Sequence, residues 1–183
     1  TVKHVMDQGG FSKVSVEETL QIADKYSKEY ALERFIQLDS QRIEYLFQRN
    51  TQELAMVVRE LWQELQESEF VPIAFELAFG KQRDMAAIQV PAENIHAQLM
   101  GVVDRVDLWK SNGQSYFRVV DYKTGRKKFS FSDVWYGMGL QMLLYLFALE
   151  QQGSTLFDGR KIVPAGVLYF PARDVLINAP RGM

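Results

Sequence analysis

The chain has 183 residues, 47% of them hydrophobic, and a formal net charge of −2 at pH 7. This length and composition predict one domain with a substantial core. The net charge excludes a basic nucleic-acid-binding tail, so any contact with nucleic acid must come from a local patch of positive charge. The chain has no cysteine, which excludes disulfide bonds, cysteine-ligated zinc and iron–sulfur clusters within it and is compatible with a cytoplasmic origin.

The first third of the chain is typical of helices. Ser15 and Glu18 have the spacing of a capping box and open the stretch SVEETLQIADKYSKEYALERF. A second helix is predicted over DSQRIEYLFQRNTQELAMVVRELWQELQESEF from the helical spacing of its apolar residues. We expect this helical part, residues 1–69, to pack on a core formed by residues 70–183, and the whole to be a piece of a larger chain.

From Phe70 the apolar pattern becomes typical of strands. Four strands are predicted, over FVPIAFELAFG, AAIQV, AQLMGVVDRVDLWK and SYFRVVDYKTG. A helix over SDVWYGMGLQMLLYLFALEQQ, with Ser132 as its N-cap, and a last strand over IVPAGVLYFPA follow. This order predicts an α/β (α+β) core with a mixed central sheet. A phosphate-binding loop of the G-x-x-x-x-G-K-S/T type is absent from the sequence, which excludes a nucleotide-driven motor within it.

The two long strands are joined by Asn112-Gly113, the strongest short signal for a two-residue hairpin turn. Such a turn places Asp104 opposite Asp121 and Val102 opposite Lys123. Because side chains alternate along a strand, these four residues share one face of the hairpin. The sequence therefore predicts two carboxylates and an ammonium together at the end far from the turn.

The same register gives the acidic residues of the hairpin different roles. Asp107 lies opposite Arg118, which is a stabilising cross-strand pair with a structural role. Asp104 and Asp121 would destabilise the sheet as opposed like charges unless something positive lies between them. Lys123 is one candidate, and a divalent cation such as Mg²⁺ or Mn²⁺ is the other. A buried Asp–Asp–Lys network of purely structural use is the alternative.

Three segments carry a resemblance to a known family. GVVDRVD, VVDYKTG and GLQMLLYLFAL occur in this order and are flanked by FVPIAFELAFG and PAGVLYFPARD. The set resembles the nuclease domain of the RecB-like branch of the PD-(D/E)XK superfamily, and within it the nuclease domains of B subunits of ATP-dependent helicase–deoxyribonucleases. The resemblance covers most of the chain from about Ser40 to Asp174, and it implies a restriction-endonuclease-like fold.

The resemblance implies roles for the residues at the hairpin end. Asp104 matches the first metal-binding aspartate of the family, and Asp121 matches the second acidic ligand. The backbone carbonyl of Tyr122 matches the third protein ligand. Lys123 matches the active-site lysine, which would orient or activate the attacking water. The cofactor implied is Mg²⁺ or Mn²⁺.

Three further residues are candidates for supporting the site. Gln141 and Tyr145 match the last motif of the family and, at i and i+4, lie on one face of a helix. Gln141 interrupts an apolar helix and needs a polar partner, which favours the site, whereas core packing is the alternative for Tyr145. Glu76 alternates with apolar neighbours in AFELAF and is a candidate for supporting the metal ligands.

A basic run and two aromatic residues are candidates for binding DNA. Arg126, Lys127 and Lys128 follow the site in sequence and would contact the phosphate backbone, unless they form a solvated loop. Trp135 and Tyr136 could stack on the bases of a single strand, although core packing is the expected role of at least one of them.

Two features of the family are not matched. The family carries a histidine on a helix ahead of the first strand, in a context that neither His4 nor His96 reproduces, so we expect that histidine to lie upstream of this chain. His96 is expected in a loop or at a strand edge. The cysteines that hold an iron–sulfur cluster in the B subunits of this family are also missing, so that cofactor is expected only in the full-length protein.

The resemblance implies a metal-dependent DNA exonuclease domain of a bacterial, cytoplasmic helicase–nuclease complex that processes double-strand breaks for recombinational repair. A companion A subunit would unwind the duplex, and this domain would cut the single strand fed to it. The alternatives are a non-catalytic relative that binds DNA or scaffolds a complex, and another RecB-like nuclease.

Overall fold

The computed structural model describes residues 1–35, 41–80, 84–92, 95–125, 130–152 and 162–172. These residues form two compact units. The helical unit consists of Thr1–Ser68 with Lys123–Gly125 and residues 171–172, and the sheet unit consists of Glu69–Tyr122 with the described residues up to Phe170. The packing of the helical part on the core stays a prediction.

The helical unit contains α1 (Val2–Asp7), α2 (Val16–Phe35) and α3 (Gln41–Glu67), of which the sequence did not predict α1. The capping box at the start of α2 is confirmed: Ser15 N–H donates to Glu18 Oε2 (2.9 Å), and Glu18 N–H donates to Ser15 Oγ (3.2 Å). The buried side chains of α3 follow one helical stripe and include Val58, Leu61 and Leu65. None of the described helices is long and apolar enough to cross a bilayer.

The strands in the described part of the chain are β1 (Val71–Phe79), β2 (Ile88–Ala92), β3 (Ile95–Leu99), β4 (Gly101–Ser111), β5 (Gln114–Lys123) and β6 (Ile162–Pro171). Four of them form a sheet in the order β1-β4-β5-β6, and β2 and β3 form a separate antiparallel pair. The prediction of one strand over AQLMGVVDRVDLWK was wrong, because the chain leaves one sheet and enters the other at Met100.

The four-stranded sheet is mixed, as predicted. Strand β4 pairs antiparallel with both β1 and β5. The carboxyl ends of β5 and β6 lie side by side, since the amide of Ala172 donates to the carbonyl of Lys123 (2.9 Å). Neighbouring strands whose carboxyl ends meet run parallel.

The predicted two-residue turn between β4 and β5 is confirmed. Asn112 and Gly113 both have positive φ (50° and 77°), the backbone that a type I′ hairpin turn requires. The pairing runs from Ser111–Gln114 to Arg105–Val120 without a shift, so the predicted register is confirmed over these seven pairs. The predicted pairs farther from the turn, Asp104–Asp121 and Val102–Lys123, stay predictions.

The long helix predicted before the last strand is two helices, α4 (Phe131–Trp135) and α5 (Gln141–Gln152). Gly137 and Gly139 separate them with positive φ of 79° and 69°, a conformation that a helix cannot contain. The N-cap is Ser130 rather than Ser132, because the hydroxyl of Ser130 accepts from the N–H of Asp133 (3.2 Å).

One hydrophobic cluster forms the core of the sheet unit. It joins inward side chains of the sheet, among them Val106, Phe117 and Val119, to the buried face of α5. All three of these residues are fully buried. The burial of apolar surface, which contributes about 25 cal/mol per Å² to the free energy of folding, is the main interaction that stabilises the packing of α5 on the sheet.

The capping box gives a testable pH dependence. Hydrogen bonds from the backbone and then the hydroxyl of Ser15 hold the pKa of Glu18 below its ordinary value. The contribution of the box to stability is therefore present above the unfolded-state pKa of about 4.3 and is lost as the pH falls through the lower folded-state pKa. We expect Ser15→Ala to raise the pKa of Glu18, measured by NMR titration of its side-chain carboxyl. Ser27→Ala, farther along α2, should leave it unchanged.

Candidate metal centre

The far end of the β4–β5 hairpin brings Asp104 against the backbone of Tyr122. Beyond the Arg105–Val120 pair, the next residues along the two strands are Asp104 and Asp121. At this point the two strands are joined by a side chain: Oδ2 of Asp104 accepts a hydrogen bond from the N–H of Tyr122 (2.8 Å). The Asp104 carboxylate therefore lies beside the peptide that links Asp121 to Tyr122.

Asp121 and Lys123 end strand β5. The side chain of Asp121 is half-buried, and its Oδ2 is shielded from solvent. Lys123 is also half-buried and lies two residues after Asp121 along the strand. It belongs to the helical unit. The carboxylates and the Tyr122 peptide thus belong to the sheet unit alone.

The donor set of Asp104, Asp121 and the Tyr122 carbonyl fits Mg²⁺ or Mn²⁺. Within the part of the chain that the structure describes, no group of three or more His, Asp and Glu side chains could hold a metal. Mg²⁺ does not need one, because it is usually held by one or two carboxylates together with waters and substrate phosphates. Two carboxylates from neighbouring strands and one backbone carbonyl supply only hard oxygen ligands, the kind that this ion prefers.

Glu76 occupies a strained position next to Asp104. The pairs Phe75–Arg105 and Leu77–Val103 flank it in the β1–β4 register, which makes Asp104 the residue across from it. Glu76 is exposed and has a positive φ of 50°, which costs a non-glycine residue on the order of 1–3 kcal/mol. Such strain occurs preferentially at functional sites.

The predicted pairing of Asp107 with Arg118 is confirmed, and Asp107 has more partners than predicted. Its Oδ2 accepts from Nε of Arg118 (2.8 Å), the cross-strand pair that the register required. Arg105 adds a second cation, with Nε 2.7 Å from Oδ1 and a terminal nitrogen 2.9 Å from Oδ2. Arg105 was not among the predicted residues, although its i, i+2 spacing from Asp107 was a usable signal.

Arg105 also reaches Tyr122, since its guanidinium donates to the phenol oxygen (2.8 Å). The ring of Tyr122 packs edge-on against Phe170, with centroids 5.8 Å apart. Burial is the main cause that raises the pKa of the Tyr122 phenol, and Arg105 opposes part of that rise. The phenol is therefore neutral at physiological pH.

Gln141 and Tyr145 lie on one face of α5, as predicted, and bind each other. The side-chain amide of Gln141 donates to the phenol oxygen of Tyr145 (3.0 Å). Gln141 is exposed, so solvent can also satisfy its amide, and the expectation that it needs a protein partner was wrong. Tyr145 is buried in the hydrophobic cluster and stacks on Phe79, with centroids 5.5 Å apart and planes 3° apart. Its phenol occupies the space above Gly101, where a Cβ would lie 1.8 Å from the oxygen.

The other candidate residues lie elsewhere. His4 is in α1 and contacts Gln8 (3.2 Å) and Tyr26 (3.1 Å), so both of its ring nitrogens have protein partners. His96 is in β3, in a two-stranded pair and hence at an edge. The predicted DNA-binding residues Arg126, Lys127 and Lys128 lie outside the described residues.

The expectation that Trp135 or Tyr136 packs in the core was wrong. Trp135 is 85% exposed and Tyr136 is 77% exposed. Trp135 ends α4, a five-residue helix without a buried residue, and Tyr136 is its C-cap.

The contact between Gly101 and Tyr145 gives a double-mutant test. We expect Gly101→Ala to cost about 1–3 kcal/mol of unfolding free energy, because the new methyl group must displace a buried ring. The cost should be smaller in a Tyr145→Phe background, which removes the closest clashing atom, and urea denaturation of the four proteins measures this coupling. Equal costs in both backgrounds would show that the phenol does not fill the space above Gly101.

Comparison with known proteins places the chain in a family. A family model described as the PD-(D/E)XK nuclease superfamily matches residues 8–181. The chain is 35% identical to the B subunit of the ATP-dependent helicase/deoxyribonuclease of Thermoanaerobacter sp. (strain X514) over 143 residues, which cover 78% of this chain and 12% of that protein. It is 32% identical to the B subunit of the same kind of enzyme from Clostridium novyi (strain NT) over 186 residues, covering 98% of this chain and 16% of that protein.

The chain thus spans about an eighth of the length of these relatives. The mixed four-stranded sheet, the helices beside it and the ordered motifs in GVVDRVD and VVDYKTG agree with the matched family. The chain belongs to the PD-(D/E)XK nuclease superfamily.

Proposed function

We propose that the chain is a Mg²⁺-dependent deoxyribonuclease domain that hydrolyses phosphodiester bonds in DNA. The observation that carries the proposal is the hydrogen bond from the Tyr122 N–H to Asp104 Oδ2. This bond holds the Asp104 carboxylate next to the peptide bond between Asp121 and Tyr122. Relatives that are named as deoxyribonuclease subunits support the same reaction class.

In this proposal Asp104, Asp121 and the backbone carbonyl of Tyr122 hold the ion, which is Mg²⁺ or Mn²⁺. When bound, the ion supplies positive charge to a phosphoryl oxygen and lowers the pKa of a water molecule. The Tyr122 N–H fixes the orientation of the Asp104 carboxylate. Fixed ligands need no rearrangement when the substrate arrives, which is the general advantage of a preorganised site.

Lys123 is the proposed partner of the attacking water. Residues at i and i+2 of an extended strand face the same side, so the ammonium of Lys123 would be directed to the side of the Asp121 carboxylate. There it would orient the water and offset the negative charge that develops on the phosphate. This requirement accounts for the Asp-x-Lys spacing at the end of β5.

Three residues have proposed supporting roles. Glu76 would hold a water or a backbone group beside Asp104, which the strained backbone at Glu76 supports. Gln141 and Tyr145 would fix the position of α5 next to β4, supported by their hydrogen bond and by the packing of Tyr145 over Gly101.

The proposed substrate is single-stranded DNA. Trp135 and Tyr136 expose 85% and 77% of their area, so their ring faces are available for stacking on bases. Arg126, Lys127 and Lys128 would contact the phosphates in a salt-dependent manner. Together they would hold an unwound strand without sequence preference.

In the intact protein, the domain would act in a cytoplasmic helicase–nuclease complex that processes double-strand breaks for recombinational repair. Its partner would be the A subunit that unwinds the duplex, and an iron–sulfur cluster would belong to the full-length protein only. Magnesium is proposed over a structural Asp–Asp–Lys network because two carboxylates and a backbone carbonyl supply the hard oxygen ligands that this ion prefers.

The central prediction concerns cleavage of a labelled oligonucleotide. In Mg²⁺ buffer, we expect Asp121→Asn and Lys123→Ala each to lower the cleavage rate of single-stranded DNA at least about 100-fold. The first removes a charged ligand of the metal, and the second removes the ammonium that offsets charge on the reacting phosphate. Glu29→Gln, which changes an exposed carboxylate on α2, is the matched control and should keep full activity. Cleavage that survives both site variants would remove the assignment, and a chain that binds DNA without cutting it would favour the non-catalytic alternative.

A second prediction concerns DNA binding in the absence of Mg²⁺. Trp135→Ala should weaken the affinity for single-stranded DNA by roughly 5- to 100-fold, because loss of one base–aromatic stack costs about 1–3 kcal/mol. Phe147→Ala removes another exposed ring, on α5, and serves as the control. Fluorescence anisotropy measures both. Equal affinities for the two variants would contradict the stacking role.

A further inference from the structure

Two arginines and an aspartate form a cluster in the hairpin that the proposed hydrolysis does not use. Arg105 and Asp107 are fully buried, and the side chain of Arg118 is 14% exposed. Asp107 is bound by both arginines at 2.7 to 2.9 Å, and the guanidinium of Arg118 also lies over the ring of Phe70 (4.7 Å). Buried ionic groups are weak evidence for stability, since apolar replacements are often neutral or stabilising. Stability alone therefore does not explain why these charged side chains are buried here.

The cluster is connected to the candidate metal centre through one side chain. Asp107 holds the guanidinium of Arg105 in a two-point contact, and the remaining terminal nitrogen of Arg105 donates to the phenol oxygen of Tyr122 (2.8 Å). The Tyr122 ring is in turn packed edge-on against Phe170. The Tyr122 side chain is thus fixed at its oxygen and at its ring.

The backbone of the same residue faces the carboxylates. Tyr122 N–H donates to Asp104 Oδ2 (2.8 Å), and its carbonyl is a proposed metal ligand. The side chain and the peptide of one residue share the Cα, so a fixed ring limits the rotation of both adjoining peptide planes. A shift of the ring would change the direction of the N–H that holds Asp104.

We propose that Arg105 and Asp107 are positioning residues for the metal ligands and act through the Tyr122 side chain. The inference rests on the proposed metal site. Asp107 orients Arg105, Arg105 fixes the phenol of Tyr122, and the Tyr122 peptide then holds Asp104 in place and directs its own carbonyl. Residues that orient metal ligands from outside typically affect metal affinity by 10- to 100-fold when changed.

The test is Mn²⁺ binding by the 183-residue chain, followed by electron paramagnetic resonance at a temperature where every variant is folded. Tyr122→Phe removes the phenol oxygen and keeps the ring, and Asp107→Asn weakens the hold on Arg105. Each should weaken Mn²⁺ binding about 10-fold or more. Tyr116→Phe is the matched control, because it also removes a phenol oxygen of β5, one that donates to Gln114 near the turn.

The outcomes separate the two proposals. Unchanged Mn²⁺ affinity in Tyr122→Phe, with binding still abolished by Asp121→Asn, would overturn the positioning role and leave the metal site intact. Equal Mn²⁺ affinity in the unsubstituted chain and in Asp121→Asn would overturn the metal site and the positioning role with it. A loss in Tyr116→Phe as large as that in Tyr122→Phe would show a general effect of the hairpin and would also overturn the role of the cluster.

Discussion

The turn at Asn112-Gly113 determines the position of every polar side chain at the far end of the β4–β5 hairpin. A two-residue turn with positive φ at both positions fixes which residues of the two strands face each other. A slip of one residue would turn each side chain of a strand to the other face. Asp107 would then lose Arg118, and Asp104 would no longer lie beside the Tyr122 peptide. The site and the ionic cluster therefore depend on one local backbone conformation.

The buried cluster of Arg105, Asp107 and Arg118 favours the same strand register as the turn does. Any slipped pairing would leave Asp107 or its arginines buried without partners, and breaking a buried pair costs about 3–5 kcal/mol. The cluster adds little net stability to the correct register but makes wrong registers costly. Asp104 and Asp121 at the far end of the hairpin thus lie in a strand pair whose register is enforced by other residues.

The features that the sequence predicted correctly are those set by local or pairwise chemistry. The Asn-Gly turn, the pairing of Asp107 with Arg118 and the capping box at Ser15 each depend on a few residues with strong preferences. The break between α4 and α5 was missed because apolar residues continue through Gly137 and Gly139, and the pattern gives no sign of their positive φ.

Tertiary contacts account for the other failures. The placement of Tyr145 above Gly101 depends on which elements meet, which periodicity does not show. Regular alternation also fails at the site, since Val103 and Val106 belong to one hydrophobic cluster although they are three residues apart. Asp104 lies within this irregular part of β4, across from the strained Glu76. A strict two-residue period therefore does not predict on which face of the sheet the Asp104 side chain lies.

The account depends most on one cation shared by Asp104, Asp121 and the Tyr122 carbonyl. An anomalous difference map from crystals soaked in Mn²⁺ tests this directly. The account predicts a peak at the open end of the hairpin, with oxygen atoms of both aspartates and the carbonyl at about 2.1 Å. A map without this peak, in which the Lys123 ammonium lies between the two carboxylates instead, would contradict it and would favour the structural network.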